Sequence, residues 1–257
     1  MLKFYVLILT ENIAEDMNMN SASKFADMLK NREAVVFSGA GMSTESGLQD
    51  FRSKTGIWAN VDPTALASID ALKNNYEQFL SFYKSRLLVP ESVKPNIGHK
   101  LIAKWEHEGF IKGIITQNVD GLHQAAGSVN VAELHGNLEP VRCFRCCKIA
   151  SKDDFIQGNS CSCGGRLRPG VVLFGEMLPE SEIRKAELWS NNCKLFIVLG
   201  SSLVVSPANF FPRKAKYAEA NLVIINKEET PLDDIADLVV HKSIGEFLSE
   251  AQEFMGE

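Results

Sequence analysis

No stretch of this chain is apolar for long enough to cross a bilayer. The most apolar one, "MLKFYVLILT" at residues 1–10, falls well short of the roughly 20 residues a membrane helix needs. It resembles a signal-peptide core, but "ENIAEDMNMN" follows, acidic and without a small-x-small cleavage site. It reads as a short edge strand within an N-terminal extension, residues 1–22. Met17 and Met19 are alternative starts, since "SASKFADMLKNREAVVFSG" reads as a complete helix and strand. Positive charge is also short. With 27 Lys and Arg against 32 Asp and Glu, the net charge is −5. That disfavours a general nucleic-acid binder and leaves room for a basic peptide. Internal repeats and low-complexity tracts are absent. Cysteine is scarce outside one segment: five of the six lie in 143–163. The chain reads as cytoplasmic, with no membrane contact.

What is present is a core. The 257 residues, 45% hydrophobic, suit one domain with inserted modules or two small domains. Short apolar, β-branched runs recur: "AVVFSG", "KGIIT", "VAELHG", "VVLFGE", "LFIVLGSS", "LVIINKEE" and "DLVVH". Such runs suit strands buried on both faces. Helical patterns fall between them, at 23–30, 97–108, 119–126, 181–191, 207–219 and 244–254. The alternation predicts an α/β fold: a parallel sheet with helices on both faces. Two segments break it. Residues 53–95, with "ALKNNYEQFLSFYKSRLL", read as helices without a strand, and 139–170 is polar and cysteine-rich. Both read as insertions that form a small lobe. The large domain is then 23–52, 96–138 and 171–257, with a cleft over its C-terminal strand ends, where such sheets bind ligands.

Cys143 and Cys146 form a C-x-x-C knuckle, and Cys161 and Cys163 a C-x-C pair followed by Gly164-Gly165. Two such turns aim four thiolates at one point, which suits a structural S₄ zinc site with no open coordination position. Disulfides would need an oxidising compartment, and a reactive thiol would not need four neighbours. Cys147 competes with Cys146, though the spacing favours Cys146. Cys193 reads as a core residue.

"FSGAGMSTESGLQDFRS" follows the first strand. Gly39-Ala40-Gly41 permits a sharp turn and close approach of backbone to a diphosphate. As a dinucleotide fingerprint it is imperfect, because Thr44 stands where the third glycine belongs and no ribose-binding acid follows at the usual distance. Arg52 suits a phosphate and Phe51 a reactive face; a surface ion pair and a core aromatic are the alternative. "TQNVDGLHQAAG" then sets Gln117, Asn118 and Asp120 at a strand-to-helix turn, with His123 behind. These groups suit a carboxamide, a sugar or a helix cap.

In one order the chain carries "GAGMSTESGLQDFRS", "TQNVDGLHQAAG", "ELHGN", the paired cysteine knuckles, "RPGVVLFGE" and "GSSLVVSPA". That set resembles the sirtuins, the NAD-dependent protein lysine deacylases, over about residues 24–254. The resemblance implies a Rossmann-type large domain, a small lobe made of a zinc module and a helical module, and NAD in the cleft between them. An acyl-lysine protein or peptide is the implied partner. The implied products are free lysine, nicotinamide and O-acyl-ADP-ribose.

Residue roles follow by resemblance. Asn118, Val119 and Asp120 line the nicotinamide pocket, Asp120 accepting from the carboxamide, with Gln117 beside the ribose. His135 is the general base that takes a proton from a ribose hydroxyl, a task suited to a histidine titrating near neutrality. Gly39, Ala40, Gly41 and Thr44 surround the diphosphate, with Phe51 and Arg52 at the nicotinamide end. Gly200, Ser201, Ser202, Asn226 and Ile244 meet the adenosine half. Val172, Phe174, Gly175, Glu176 and Val205 clamp the substrate peptide by strand addition. His123 has no implied role and reads as a helix histidine in local hydrogen bonds. Tyr83 and Arg86, three apart on one helix face, resemble the pair that holds succinyl or malonyl groups in some members; acetyl is the expected acyl group. The chain departs from the family's common pattern at Ser38 and Ser201, where threonine is usual, at Gln49, where proline is common, and in its C-x-C knuckle. A non-catalytic NAD or ADP-ribose binding module and a mono-ADP-ribosyltransferase are the competing expectations. The oligomeric state is left open.

Overall fold

The computed structural model describes residues 21–31, 33–53, 56–59, 61–88 and 93–256. The edge strand expected at residues 1–10 lies outside them. Residues 21 and 22, counted above with the extension, begin helix α1 (21–30), and Ala22 is buried in the core.

Six parallel strands make the main sheet: β1 (Ala34–Ser38), β2 (Ile111–Thr116), β3 (Val131–Glu133), β7 (Leu195–Leu199), β8 (Asn221–Ile225) and β9 (Leu238–Val240). Their order is β3-β2-β1-β7-β8-β9. The continuous apolar runs follow from burial on both faces. Val36, Ile114, Ile197 and Val223 point to one face, under α1, α5 (Ile97–His107) and α10 (Ile244–Met255). Val35, Phe37, Ile115 and Phe196 point to the other, under α8 (Glu180–Asn192) and α9 (Phe210–Tyr217). Each fully buried Phe, Ile or Leu contributes roughly 1.5–3 kcal/mol, so the two faces carry much of the fold's stability.

From β1 the chain builds outward to β2 and β3, then returns to lay β7 on β1's other side. The order therefore reverses between β1 and β7, and a crevice opens at their C-terminal ends. Short helices α2 (Pro63–Ala67) and α3 (Ile69–Asn74), with the longer α4 (Tyr76–Leu87), rise from one insertion. The other holds an antiparallel sheet of β4 (Val141–Cys143), β5 (Ile149–Ala150) and β6 (Leu167–Arg168), plus α7 (Lys152–Ile156). These strands are two or three residues long, too short to stand out as apolar runs. The two insertions share one core, in which Phe79, Tyr83 and Leu87 pack with Val141, Phe155 and Leu167.

One expected strand is not a strand. "VVLFGE" makes only an isolated bridge, Phe174 to Ser68. Its Val172 N–H donates to His135 O at 2.8 Å and its Phe174 N–H to Ala67 O at 2.9 Å. With a different neighbour at each step, no ladder propagates. The helix expected at 119–126 shortens to α6 (Leu122–Ala125), because Gly121 is left-handed (φ 71°) and Asp120 Oδ1 accepts from Leu122 N–H at 2.9 Å. Among the described residues no helix is long and apolar enough to cross a membrane.

Candidate active site

The crevice at the β1/β7 reversal opens into a cleft of about 740 Å³. Its lining comes from the glycine turn, the ends of β2, β7 and β8, the segment after β6, and α4. Gly39, Ala40, Gly41, Thr44, Phe51, Arg52, Gln117, Asn118, Val119 and His135 all line it. So do Val172, Phe174, Gly175, Glu176, Gly200, Ser201, Ser202, Val205, Asn226 and Ile244. Tyr83 and Arg86 reach it from α4. Asp120 instead borders a small recess beside it, shared with Ser43, Phe51, Arg86 and Asn118.

The glycine turn owes its residue types to packing as well as to any ligand. Gly39 and Gly41 donate their N–H groups to Leu199 O and Gly200 O at 3.0 and 2.9 Å. A Cβ on Gly41 would lie 2.7 Å from Gly200 Cα, and Gly200 is itself left-handed at φ 60°. Two turns thus interlock at the sheet's reversal, with no room for a side chain on either. Thr44 Oγ1 donates to Gly41 O at 2.9 Å within the same turn.

The three polar groups after β2 are joined by a residue the sequence reading missed, Ser43. Its Oγ donates to Asp120 Oδ2 at 2.7 Å and accepts from Asn118 Nδ2 at 3.2 Å. Asn118 Nδ2 also donates to Gly39 O, at 3.0 Å. Asp120 thus accepts from the first N–H of α6 and from a serine hydroxyl at once. Gln117 Nε2 donates to Ser201 Oγ at 2.9 Å, bridging the ends of β2 and β7. Serine at the fourth residue after a strand-ending glycine was the available signal for Ser43.

His123 is not in local hydrogen bonds, as expected above. Its ring is buried, with Nε2 2.9 Å from Ser38 Oγ, which donates to Thr116 Oγ1 at 2.8 Å. Thr116 Oγ1 in turn accepts from Asn118 N–H at 3.0 Å. The His99 ring stands edge-on to it, centroids 4.9 Å apart, with Nδ1 on Asn96 Oδ1. Among the described residues, His99 Nε2 and His123 Nδ1 have no hydrogen-bond partner. Burial depresses both, to about 4 for His99 and about 3 for His123, so both are neutral.

His135 sits just past β3. Its Nδ1 is 3.0 Å from Gln117 O, a carbonyl that can only accept, so Nδ1 carries the proton and Nε2 is a free base. Burial lowers its pKa below the ordinary 6.5, the nearby Arg52 charge adds to this, and the Gln117 bond opposes it. Phe51 lies between Trp58, stacked at 5.4 Å, and the Arg86 guanidinium, 4.7 Å from its ring centroid. Arg52 is exposed, and Asp50 serves its own turn by accepting from the Arg52 and Ser53 N–H groups.

Glu176 does not face the cleft as a free carboxylate. Arg168 grips it with Nη1 at 2.5 Å and Nη2 at 2.8 Å, and Leu173 N–H donates to it at 2.8 Å. Burial works to raise the Glu176 carboxyl, but these bonds and the Arg168 and Arg142 charges outweigh it and hold it below its ordinary value.

In the small sheet the sulfurs of Cys143, Cys146, Cys161 and Cys163 lie within 4.8 Å of one another. Two pairs, 143/163 and 146/161, are 3.6 Å apart. A tetrahedron with Zn–S bonds of about 2.3 Å has edges of about 3.8 Å, whereas a disulfide needs about 2.05 Å. The four are positioned to bind one structural zinc. Cys147 is exposed and outside the cluster.

A model of the Sir2 family matches residues 39–207. An NAD-dependent protein deacetylase 1 of Geobacillus kaustophilus is 52% identical over 229 residues, covering 88% of this chain and 95% of its own. An NAD-dependent protein deacetylase of Oceanobacillus iheyensis is 50% identical, with 83% and 92% covered. Among solved structures, a Sir2 complex with a p53 peptide and NAD⁺ is 40% identical, with 91% of this chain and 98% of that one covered, at a TM-score of 0.82. Another, holding a deacetylated p53 peptide and 3′-O-acetyl-ADP-ribose, is 41% identical with 90% and 96% covered, at 0.85.

Proposed function

Because the chain belongs to the Sir2 family, we infer that it is an NAD-dependent protein deacetylase, which transfers the acetyl group of a protein acetyl-lysine to ADP-ribose and releases nicotinamide. The observation that carries this reading is His135: a neutral imidazole held by Gln117 O, with its basic nitrogen free, in a cleft long enough for a dinucleotide.

The donor set fits NAD. Bound there, NAD would supply an electrophilic ribose carbon. The glycine turn and Thr44 would hold the diphosphate, and Gly200, Ser201, Ser202, Asn226 and Ile244 would hold the adenosine end. Asn118, Val119 and Asp120 border the nicotinamide side. Arg52 lies at the same end. His135 Nε2 accepts the proton of a ribose hydroxyl, raising its nucleophilicity. No serine or cysteine nucleophile is needed. Val172, Phe174 and Gly175 receive the peptide opposite Val205, and Glu176 acts through its hold on that segment. Zinc bound by the four cysteines is structural, because a four-thiolate site leaves no position for substrate.

We assign residues 23–52, 96–138 and 171–257 to the dinucleotide domain, and 53–95 with 139–170 to the small lobe. The shared core of the two insertions supports this division. Cytoplasm is the proposed location, supported by the thiol cluster's metal-type geometry.

One observation favours a second acyl class. Arg86 lines the cleft with no carboxylate within ion-pair distance among the described residues, and burial lowers its pKa. It and the buried Tyr83 could hold a succinyl or malonyl carboxylate. Mass spectrometry of the products from NAD and an acetyl-lysine peptide tests the main reading. O-acetyl-ADP-ribose and nicotinamide are expected. ADP-ribosylated protein, or unchanged NAD, would replace it with a transferase or a binding module.

A further inference from the structure

We propose that Arg168 is a positioning residue for the peptide site: its guanidinium holds segment 171–176 in the shape that receives substrate, and it ties that shape to the cysteine-bearing sheet. The proposal rests on the reading of 171–176 as the peptide clamp.

Segment 171–176 lacks a ladder of its own, so its conformation must come from elsewhere. Arg168 is 2% exposed and reaches it through its two terminal nitrogens. Nε donates to Pro169 O at 3.2 Å, Nη1 to Glu176 Oε1, and Nη2 to both Val171 O and Glu176 Oε2. Glu176 Oε2 also accepts Leu173 N–H, which closes the segment into a loop around one carboxylate. The loop's far side is fastened by Val172 N–H to His135 O and by Phe174 to Ala67 and Ile69. A change in the Arg168 grip is therefore felt at the peptide groove.

The other end of the grip is as firmly fixed. Arg168 pairs in register with Arg142, the neighbour of Cys143, and Leu167 pairs with Cys143 itself. On the adjoining residues, Arg166 donates to Leu72 O and Lys73 O at the end of α3, and Tyr76 Oη donates to Leu167 O at 2.9 Å. Three consecutive residues thus join the helical insertion, the cysteine sheet and the clamp. A buried ion pair is often no more stabilising than an apolar replacement of similar volume. A forked guanidinium making these four hydrogen bonds instead fixes geometry, which lysine cannot reproduce.

The test uses the zinc-loaded protein and the variants Arg168→Lys and Glu176→Gln, the second because it keeps the side-chain shape if the first folds poorly. Amide hydrogen exchange is expected to quicken at 171–176 and stay unchanged in β1 and β2, with zinc content unaltered. For an acetyl-lysine peptide, KM is expected to rise roughly tenfold or more with kcat within about threefold, and the Kd of ADP-ribose to hold within about twofold. Unchanged exchange at 171–176 overturns the proposal. So does an unchanged KM in a loosened loop, or an equal loss of ADP-ribose binding, which would mark a general structural role. If the wild type fails to deacetylate the peptide, the functional reading falls, while the exchange data still decide whether Arg168 holds the loop.

Discussion

At the residue scale, two kinds of histidine divide the work. His135 has one nitrogen committed to Gln117 O and one free, so its removal deletes a base and little else. His135→Ala is expected to lower kcat by roughly a hundredfold or more while ADP-ribose still binds, measured by turnover and calorimetry. Because burial lowers its pKa, the neutral form persists on mild acidification, and the acid limb of kcat/KM is expected below pH 6.5. His99 and His123 matter to stability instead. Each is neutral in the fold because burial disfavours its charged form, and a second proton would give an N–H with no acceptor among the described residues. Unfolded, each binds a proton near pH 6.5, so the unfolded state takes up more protons below that pH. Stability is therefore fully present above 6.5 and is lost as pH falls, until about 4 for His99 and about 3 for His123. The loss is on the order of 1.4 kcal/mol per pH unit per histidine. Urea titrations between pH 7 and about 5 are expected to show it, and His99→Gln to remove roughly half of the histidine share.

At the element scale, the small sheet depends on its metal. Strands of two or three residues cannot bury enough surface to fold alone. Cys143→Ser or Cys163→Ser is expected to release zinc and lower the melting temperature, by metal analysis and calorimetry. Cys147→Ser is expected to leave zinc content unchanged, since its thiol lies outside the cluster. The same scale shows where sequence reading fell short. Strands β1, β2, β7 and β8 were legible because burial on both faces forces continuous apolar runs. "VVLFGE" has the same composition but not the same neighbours. The apolar run reports burial alone, and Val171 and Leu173 are indeed buried. Whether a ladder forms beside it is decided by other segments.

At the scale of the whole molecule, the reversal of strand order between β1 and β7 creates the cleft, and the helical insertion roofs it. The residues proposed to choose the acyl group, Tyr83 and Arg86, line the cleft beside Phe51. Acetyl is expected to give the higher kcat/KM when acetyl and succinyl forms of one peptide are compared. The opposite ranking, abolished selectively by Arg86→Met, would move the protein to the acidic acyl class. In the structure Arg86 lies on Phe51, so an acid that draws it away would leave that ring held by Trp58 alone of these two.

The residues around the cleft came through the family resemblance. By itself the sequence determined the parallel α/β sheet, the two segments that break its strand–helix alternation and three of the four clustered cysteines. Each of these is written in local terms: apolar runs, glycines at turns, cysteines at knuckle spacing. Only the tertiary structure decided which of Cys146 and Cys147 turns inward, that Gly41 and Gly200 interlock, and that His123 answers to Ser38, 85 residues away in sequence. It also decided that Glu176 belongs to Arg168, not to the open cleft. The physical reason is common to all of them. A hydrogen bond or a close packing contact is fixed by which two surfaces meet, and segments far apart in the chain meet only once the sheet has ordered its strands.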